Sequence, residues 1–251
     1  MFKIIEFNAC NNSLFIINND EKITEYNWYQ LRHEPILEKE NFERTLTGFG
    51  STNILDLEKR SSWTHKSKFH LNLPIEVLTF FNQNNIMYEK NPLNIVDENN
   101  VLYEKTNYFS LLKYETGDFF LNHHDTKLTN SAIFDSHHEY TCLIFCPYGE
   151  SNDILEGGEL IFKHPNALYE IKFDSSVETK KNRFVMIIFS IDMYHEVLPI
   201  ISGTRWLFKK PLFVQKTTIL AEEVSDHDHM SQRSYGETHI SYGDESYGDE
   251  S

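Results

Sequence analysis

The sequence predicts a mainly β (α+β) domain of the sandwich or jelly-roll class, and three observations carry that expectation. Beyond residue 100, eight short apolar runs follow one another: NYFSLLKY, DFFLNHH, YTCLIFC, GELIFK, LYEIKF, RFVMIIFS, YHEVL and RWLFKKPLFV. Turn material such as PYGESNDILEGG, HPN, DSSVETKKN and PIISG separates them, which is the rhythm of short strands. An earlier stretch, LPIEVLTFFNQNNI, places Val77, Leu78, Phe81 and Ile86 at helical spacing, with Pro74 where a first turn tolerates it. It reads as a helix supporting a sheet.

Taken in order, the chain opens with FKIIEF and SLFIIN, two β-branched and aromatic runs separated by NACNNS, expected to pair as an early hairpin. Residues 32 to 72 are mixed and polar and offer no interpretable period. The domain organisation that follows is N-terminal strands and a supporting helix over residues 1–104, packed on a β core over 105–215, and a tail over 216–251. That tail repeats Ser-Tyr-Gly-acid and lacks aliphatic periodicity. It buries too little to offset the entropy of ordering and is expected to be disordered. The HDH at residues 227–229 falls in it and is not expected to hold a metal.

Composition narrows the function. The net charge of −15 is unevenly spread: from Glu222 to Ser251 nine acids face one arginine, leaving about half the excess for the rest of the chain. A mildly acidic body with no basic stripe is a poor partner for a phosphate backbone, so nucleic acid is disfavoured. No apolar run nears the roughly 18 residues of a membrane span, and MFKIIEFNACNNS lacks the apolar centre and cleavage site of a secretion signal. A cytoplasmic location is expected. Cys10, Cys142 and Cys146 match no zinc spacing, and their odd number argues against a disulfide framework.

The chemistry gathers in YETGDFFLNHHDTK. On a strand, residues two apart share a face, so His123 and Asp125 project together and His124 points away. At this composition a single His-x-acid pair arises by chance, and HHE, pairing His137 with Glu139, is a second one; His137 and His138 are expected to face solvent. A distant segment agrees with the first pair. In MYHEVLPIISGTRW, His195 ends an apolar strand, and Arg205 follows across a turn marked by Pro199 and Gly203. A hairpin centred on Ile200 would make His195 and Arg205 cross-strand neighbours on one face. Two histidines and a carboxylate on one face of a metal leave its other positions open, the arrangement of non-haem Fe(II) oxygenases. An arginine fork beside them suits a carboxylate of a bound acid.

In these ordered elements the chain resembles the 2-oxoglutarate and Fe(II)-dependent oxygenases, in their prolyl 4-hydroxylase-like branch, over roughly residues 105 to 215. LLKYETGDFFLNHHD is similar to the family's Tyr-x-x-Gly-x-x-aromatic-x-x-His-x-Asp pattern through Tyr114, Gly117, Phe120, His123 and Asp125. EYTCLIF, then GGELIF, then HEVLPIISGTRW follow in the family's order. The resemblance implies a double-stranded β-helix core with supporting N-terminal helices. It also implies Fe(II) held by His123, Asp125 and His195, with 2-oxoglutarate and O2 as cosubstrates and ascorbate as an auxiliary reductant. Arg205 would bind the cosubstrate's 5-carboxylate, with Tyr114 donating a hydrogen bond to it. The implied reaction is hydroxylation of a prolyl or lysyl side chain in a peptide or protein, coupled to decarboxylation of 2-oxoglutarate to succinate. Collagen-type members usually carry Lys at the position of Arg205; Leu160 and Phe145 stand where Thr and Tyr occur in relatives. Two other readings share the fold: a noncatalytic metal-binding β-helix scaffold, and a nucleobase dealkylase, for which a second arginine soon after Arg205 would be expected instead of the lysines of RWLFKK.

Overall fold

The computed structural model describes residues 1–8, 14–17, 23–46, 55–88, 93–96, 102–105, 108–125, 136–147, 155–163, 170–173 and 183–215. Met1–Thr217 form one compact unit; the acidic tail and Cys10 lie outside the described residues.

All eight strands expected after residue 100 form: Tyr108–Tyr114, Phe120–His123, Ser136–Phe145, Leu160–Lys163, Glu170–Phe173, Arg183–Ser190, Tyr194–Val197 and Arg205–Gln215. They divide between two antiparallel sheets. The first, third, sixth and eighth lie together inside a large nine-stranded sheet. The second, fourth, fifth and seventh make a small four-stranded one. That division of strands between two facing sheets is a jelly roll, the double-stranded β-helix.

The near-continuous apolar runs of the large sheet follow from burial on both its faces. Leu112, Leu143, Val185, Ile187 and Leu207 point into the core between the sheets. Their neighbours Leu111, Ile144, Met186, Ile188 and Phe208 belong to a second core on the outer face. The helix Ile75–Gln83 covers that outer face with Val77 and Phe81, both fully buried, and Pro74 takes its N-cap. A short helix, Trp28–Leu31, is closed by a capping box between Asn27 and Gln30; it sinks Trp28 and Leu31 into the same core, and the Trp28 indole donates to the Pro147 carbonyl at 3.0 Å. Full burial of side chains of this size is worth roughly 1.5–3 kcal/mol each, so the N-terminal elements contribute to the same packed body as the jelly roll.

Two expectations are corrected here. Phe2–Asn8 forms no hairpin with Leu14–Ile17: it pairs along its whole length with Arg183–Ser190, Ile4 opposite Ile187, and closes one edge of the large sheet. Leu14–Ile17 pairs instead with Ile23–Tyr26 and Trp63–Leu71. His137 and His138, expected to face solvent, lie inside the strand Ser136–Phe145. The His138 ring is buried against Phe213, at the irregularity where pairing with Arg205–Gln215 shifts register. The segment 32–72, unreadable in sequence, supplies the strands Phe42–Arg44 and Trp63–Leu71. Cys142 and Cys146 are buried free thiols whose pKa burial raises. Among the described residues no helix is long and apolar enough to cross a membrane.

Candidate metal centre

Two register pairs build the site. Across the small sheet His123 faces His195, and across the large sheet Tyr114 faces Arg205. Between Tyr114 and Phe120 the chain reverses in a turn that Gly117 closes with φ +87°, and which is sewn to the strand Ile200–Ser202. The Gly117 amide donates to the Ile200 carbonyl at 2.8 Å, and the Ile200 amide donates to the Asp118 carbonyl at 3.0 Å. Buried Asp118 braces the turn, accepting from the Glu115 amide at 2.8 Å and pairing with Arg44 at 3.0 Å.

His195 and Arg205 are not hairpin neighbours, as the sequence suggested. His195 pairs with Phe162 and His123 in the small sheet, whereas Arg205 lies in the large one. The intervening Ile200–Ser202 pairs with Glu156–Gly157, so the chain crosses from one sheet to the other after Pro199. The two side chains line one cleft, together with Arg60, Tyr114, His123 and Lys209.

A nitrogen of His123, an oxygen of Asp125 and a nitrogen of His195 all lie within 4.8 Å of one another. Asp125 stands two residues beyond the end of its strand. The two imidazoles are held alike. Nδ1 of His123 donates to the Leu121 carbonyl at 2.7 Å, and Nδ1 of His195 to the Met193 carbonyl at 3.0 Å. A ring nitrogen that donates to a carbonyl carries the proton, which leaves the lone pair on Nε2. In His123 that Nε2 is buried and has no hydrogen-bond partner. An orphaned imidazole nitrogen beside a second imidazole and a carboxylate is a donor set that fits a divalent transition metal with open positions.

Packing fixes the rings. His123 stacks on Phe120 with centroids 3.5 Å apart, lies 4.2 Å from His195, and His195 abuts Phe189 at 4.8 Å. Burial first, and then the neighbouring His195, lowers the His123 pKa to about 3; burial also lowers that of His195, so both rings are neutral near pH 7. Burial opposes ionisation of Asp125, but Lys209, His195 and the Thr141 hydroxyl outweigh it and hold the carboxyl well below its usual range. Lys209 Nζ lies 2.8 Å from Asp125 Oδ1, and the Thr141 hydroxyl donates to Oδ2.

Arg205, almost fully buried in the same cleft, donates to the Gly158 carbonyl, and its guanidinium lies 4.5 Å over the Tyr114 ring. Gly158 has φ +71°, and a Cβ there would run into the Ile200 side chain, so this residue both makes the turn and orients the arginine. Burial disfavours the Tyr114 phenolate. Arg60, Arg205, the Ser62 hydroxyl and Lys209 reverse that and lower its pKa.

Tyr114, His123, His195 and Arg205 thus line one cleft and Asp125 joins the two histidines, while His124 is exposed, edge-on to Tyr194 at 5.3 Å. Three residues were missed. Lys209 could have been found, since alternation from Arg205 puts 205, 207 and 209 on one face. Arg60, whose guanidinium lies 4.5 Å over the Phe120 ring, and Thr141 carry no sequence signal.

The jelly roll thus carries a His-Asp-His cluster and, lining a cleft with both histidines, a buried arginine. Residues 109–210 match the model of the 2OG-Fe(II) oxygenase superfamily. That segment contains His123, Asp125, His195 and Arg205. Among solved structures, a Pseudomonas putida prolyl-4-hydroxylase is similar at 16% identity and TM-score 0.31, over 43% of this chain and 50% of that one. A Trichoplax adhaerens prolyl hydroxylase, solved with a hypoxia inducible factor peptide fragment, shows 15% identity and TM-score 0.43 over 75% and 74%. A collagen prolyl hydroxylase of Paramecium Bursaria Chlorella virus-1 shows 13% identity and TM-score 0.33 over 62% and 79%. The chain spans half the length of the Pseudomonas enzyme. Comparison with curated proteins yields no match.

Proposed function

We propose that this protein is a 2-oxoglutarate- and Fe(II)-dependent dioxygenase that hydroxylates a side chain, prolyl first and lysyl second, in a peptide or protein substrate. The observation that carries the reading is the convergence of His123, Asp125 and His195, with both Nδ1 protons committed to backbone carbonyls. In this reading the three side chains hold Fe(II), which supplies the redox chemistry coupling decarboxylation of 2-oxoglutarate to succinate and CO2 with transfer of one oxygen atom to a substrate C–H bond.

The chain's own residues orient and exclude. Arg205 receives the 5-carboxylate of the cosubstrate through its guanidinium fork, and Tyr114, stacked beneath it, donates a hydrogen bond to the same group. The fixed imidazole tautomers present Nε2 inward without a proton to lose. Phe120, Phe162 and Phe189 form an apolar wall around the histidines, which keeps water from the reacting atoms. Exposed Leu121, His124 and Tyr194 form a rim beside the metal ligands, supporting a substrate presented from outside as a chain segment. Ascorbate as reductant and a cytoplasmic setting belong to the same proposal; the unbridged thiols Cys142 and Cys146 agree with the latter.

The test is oxygen-dependent release of succinate from purified protein, followed by a mass-spectrometric search of a peptide library for a gain of about 16 Da, one oxygen atom. His195→Ala should abolish both. Succinate release equal to that of a metal-free control would exclude catalysis. Turnover of alkylated DNA without turnover of any peptide would move the substrate to nucleobases.

A further inference from the structure

The strand Arg205–Gln215 alternates strictly: Leu207 belongs to the core between the sheets, while Trp206 and Phe208 pack with the outer core. Lys209 thus shares the inward face with Arg205, and its Nζ lies 2.8 Å from Asp125 Oδ1. The Thr141 hydroxyl engages the other oxygen, so both oxygens of this carboxylate have protein partners. A divalent ion drawn to Asp125 has to share that carboxylate with an ammonium or displace it. The side chains of Lys209 and Asp125 are only 27% and 11% exposed, so water screens their surroundings weakly.

The rest of the cleft sharpens the conflict. Arg60, Arg205 and Lys209 line it, and Asp125 is the one carboxylate beside them among the described residues, so cations outnumber it three to one. A metal ion alone adds charge of the sign already in excess. A dianion lying beside the metal removes it and gives the displaced ammonium a new partner. We propose that Lys209 is a positioning residue that couples the two binding events: its ammonium holds Asp125 while the metal is absent, and yields the carboxylate readily only when an anionic cosubstrate occupies the cleft. This rests on the reading of His123, Asp125 and His195 as metal ligands. By linkage, whatever the cosubstrate does for metal affinity, the metal does equally for cosubstrate affinity. Repulsion between an ammonium and a divalent ion sharing one carboxylate in such a site is enough to change affinity by about tenfold or more.

The experiment is calorimetric titration of the metal-stripped, full-length protein with Mn(II), with and without saturating 2-oxoglutarate, for wild type, K209M, K209Q, K209R and H123A. The two neutral variants should bind Mn(II) alone about tenfold tighter than wild type, and the tightening that 2-oxoglutarate confers should shrink about fivefold or more. K209R, which keeps the charge, should behave as wild type. A lysine that merely supported the fold would give the opposite sign, since its loss would loosen Asp125 and weaken Mn(II). Thermal unfolding of each variant identifies any that is not folded, and either neutral variant suffices. Mn(II) affinity in both neutral variants equal to or weaker than wild type, or an unchanged effect of 2-oxoglutarate, overturns the role of Lys209. Mn(II) affinity in H123A equal to wild type overturns the ligand assignment beneath it, whatever Lys209 does.

Discussion

His195 stands directly across the small sheet from His123: the two are register partners, and their ring centroids lie 4.2 Å apart. Neither position can slip by one residue without turning its imidazole to the other face of the sheet. Replacing either ring by Ala should therefore cost more in metal affinity than the roughly 10–100-fold typical of losing an outer partner of a ligand. Equilibrium titration with Mn(II) checks this, and retention of near-normal affinity in either variant would contradict it.

Arg205 lines the cleft but is not one of the three clustered ligands, so its removal should separate two affinities that ligand variants lose together. In Arg205→Gln the dissociation constant for 2-oxoglutarate should rise roughly 30-fold or more, the cost of truncating one partner of a buried charge pair, while Mn(II) affinity stays within about twofold. Arg205→Lys should recover part of the loss. Equal loss of both affinities would mean that the arginine serves the fold rather than the cosubstrate.

Gly158 carries a conformational demand that can be tested alone. Its φ of +71° and the Ile200 side chain against its α-carbon leave no room for a Cβ. Gly158→Ala should destabilise the protein by about 1–3 kcal/mol and displace the carbonyl that accepts from Arg205. A lowered melting temperature with a weakened 2-oxoglutarate titration is expected, and an unchanged melt would show that the turn adapts.

Buried neutral imidazoles make the metal-free protein acid-sensitive. Burial is the leading cause that lowers the pKa of His123, to about 3, and of His195, His65 and His70, all from an ordinary 6.5. Below 6.5 the unfolded chain takes up protons that the folded one refuses. The stability these groups contribute is complete above that value and is lost as pH falls through it toward their folded pKa values. His123 alone should cost about 1 kcal/mol between pH 7.5 and 5.5. The urea midpoint of the stripped protein should fall over that interval, and at least as steeply with Mn(II) bound, because the metal keeps the folded rings unprotonated. A flat midpoint would contradict neutral, buried rings.

Much of the jelly roll was legible because its strands announce themselves locally. RFVMIIFS is apolar at every position from Phe184 to Phe189, as a strand buried on both faces must be, and the His123-x-Asp125 pair sits at a strand end where period-2 alternation can be read. Partner choice was not legible. Nothing in FKIIEF says that Ile4 will lie against Ile187 rather than against the next run, because pairing at such separation is decided by which sheet edge remains open. The same limit misread His195 and Arg205 as a hairpin, when Ile200–Ser202 takes Glu156–Gly157 as its partner and carries the chain between sheets. Arg60 reaches the cleft from a segment with no periodicity of its own, through a single bridge to Phe120.

The most direct test is a visible spectrum of anaerobic protein titrated with Fe(II) and 2-oxoglutarate, separately and together, for wild type and His123→Ala. The site described here should give a charge-transfer band only when both are present, and none in the variant. No band in wild type, or an undiminished band without the His123 imidazole, would contradict the assignment of His123, Asp125 and His195 as the metal centre.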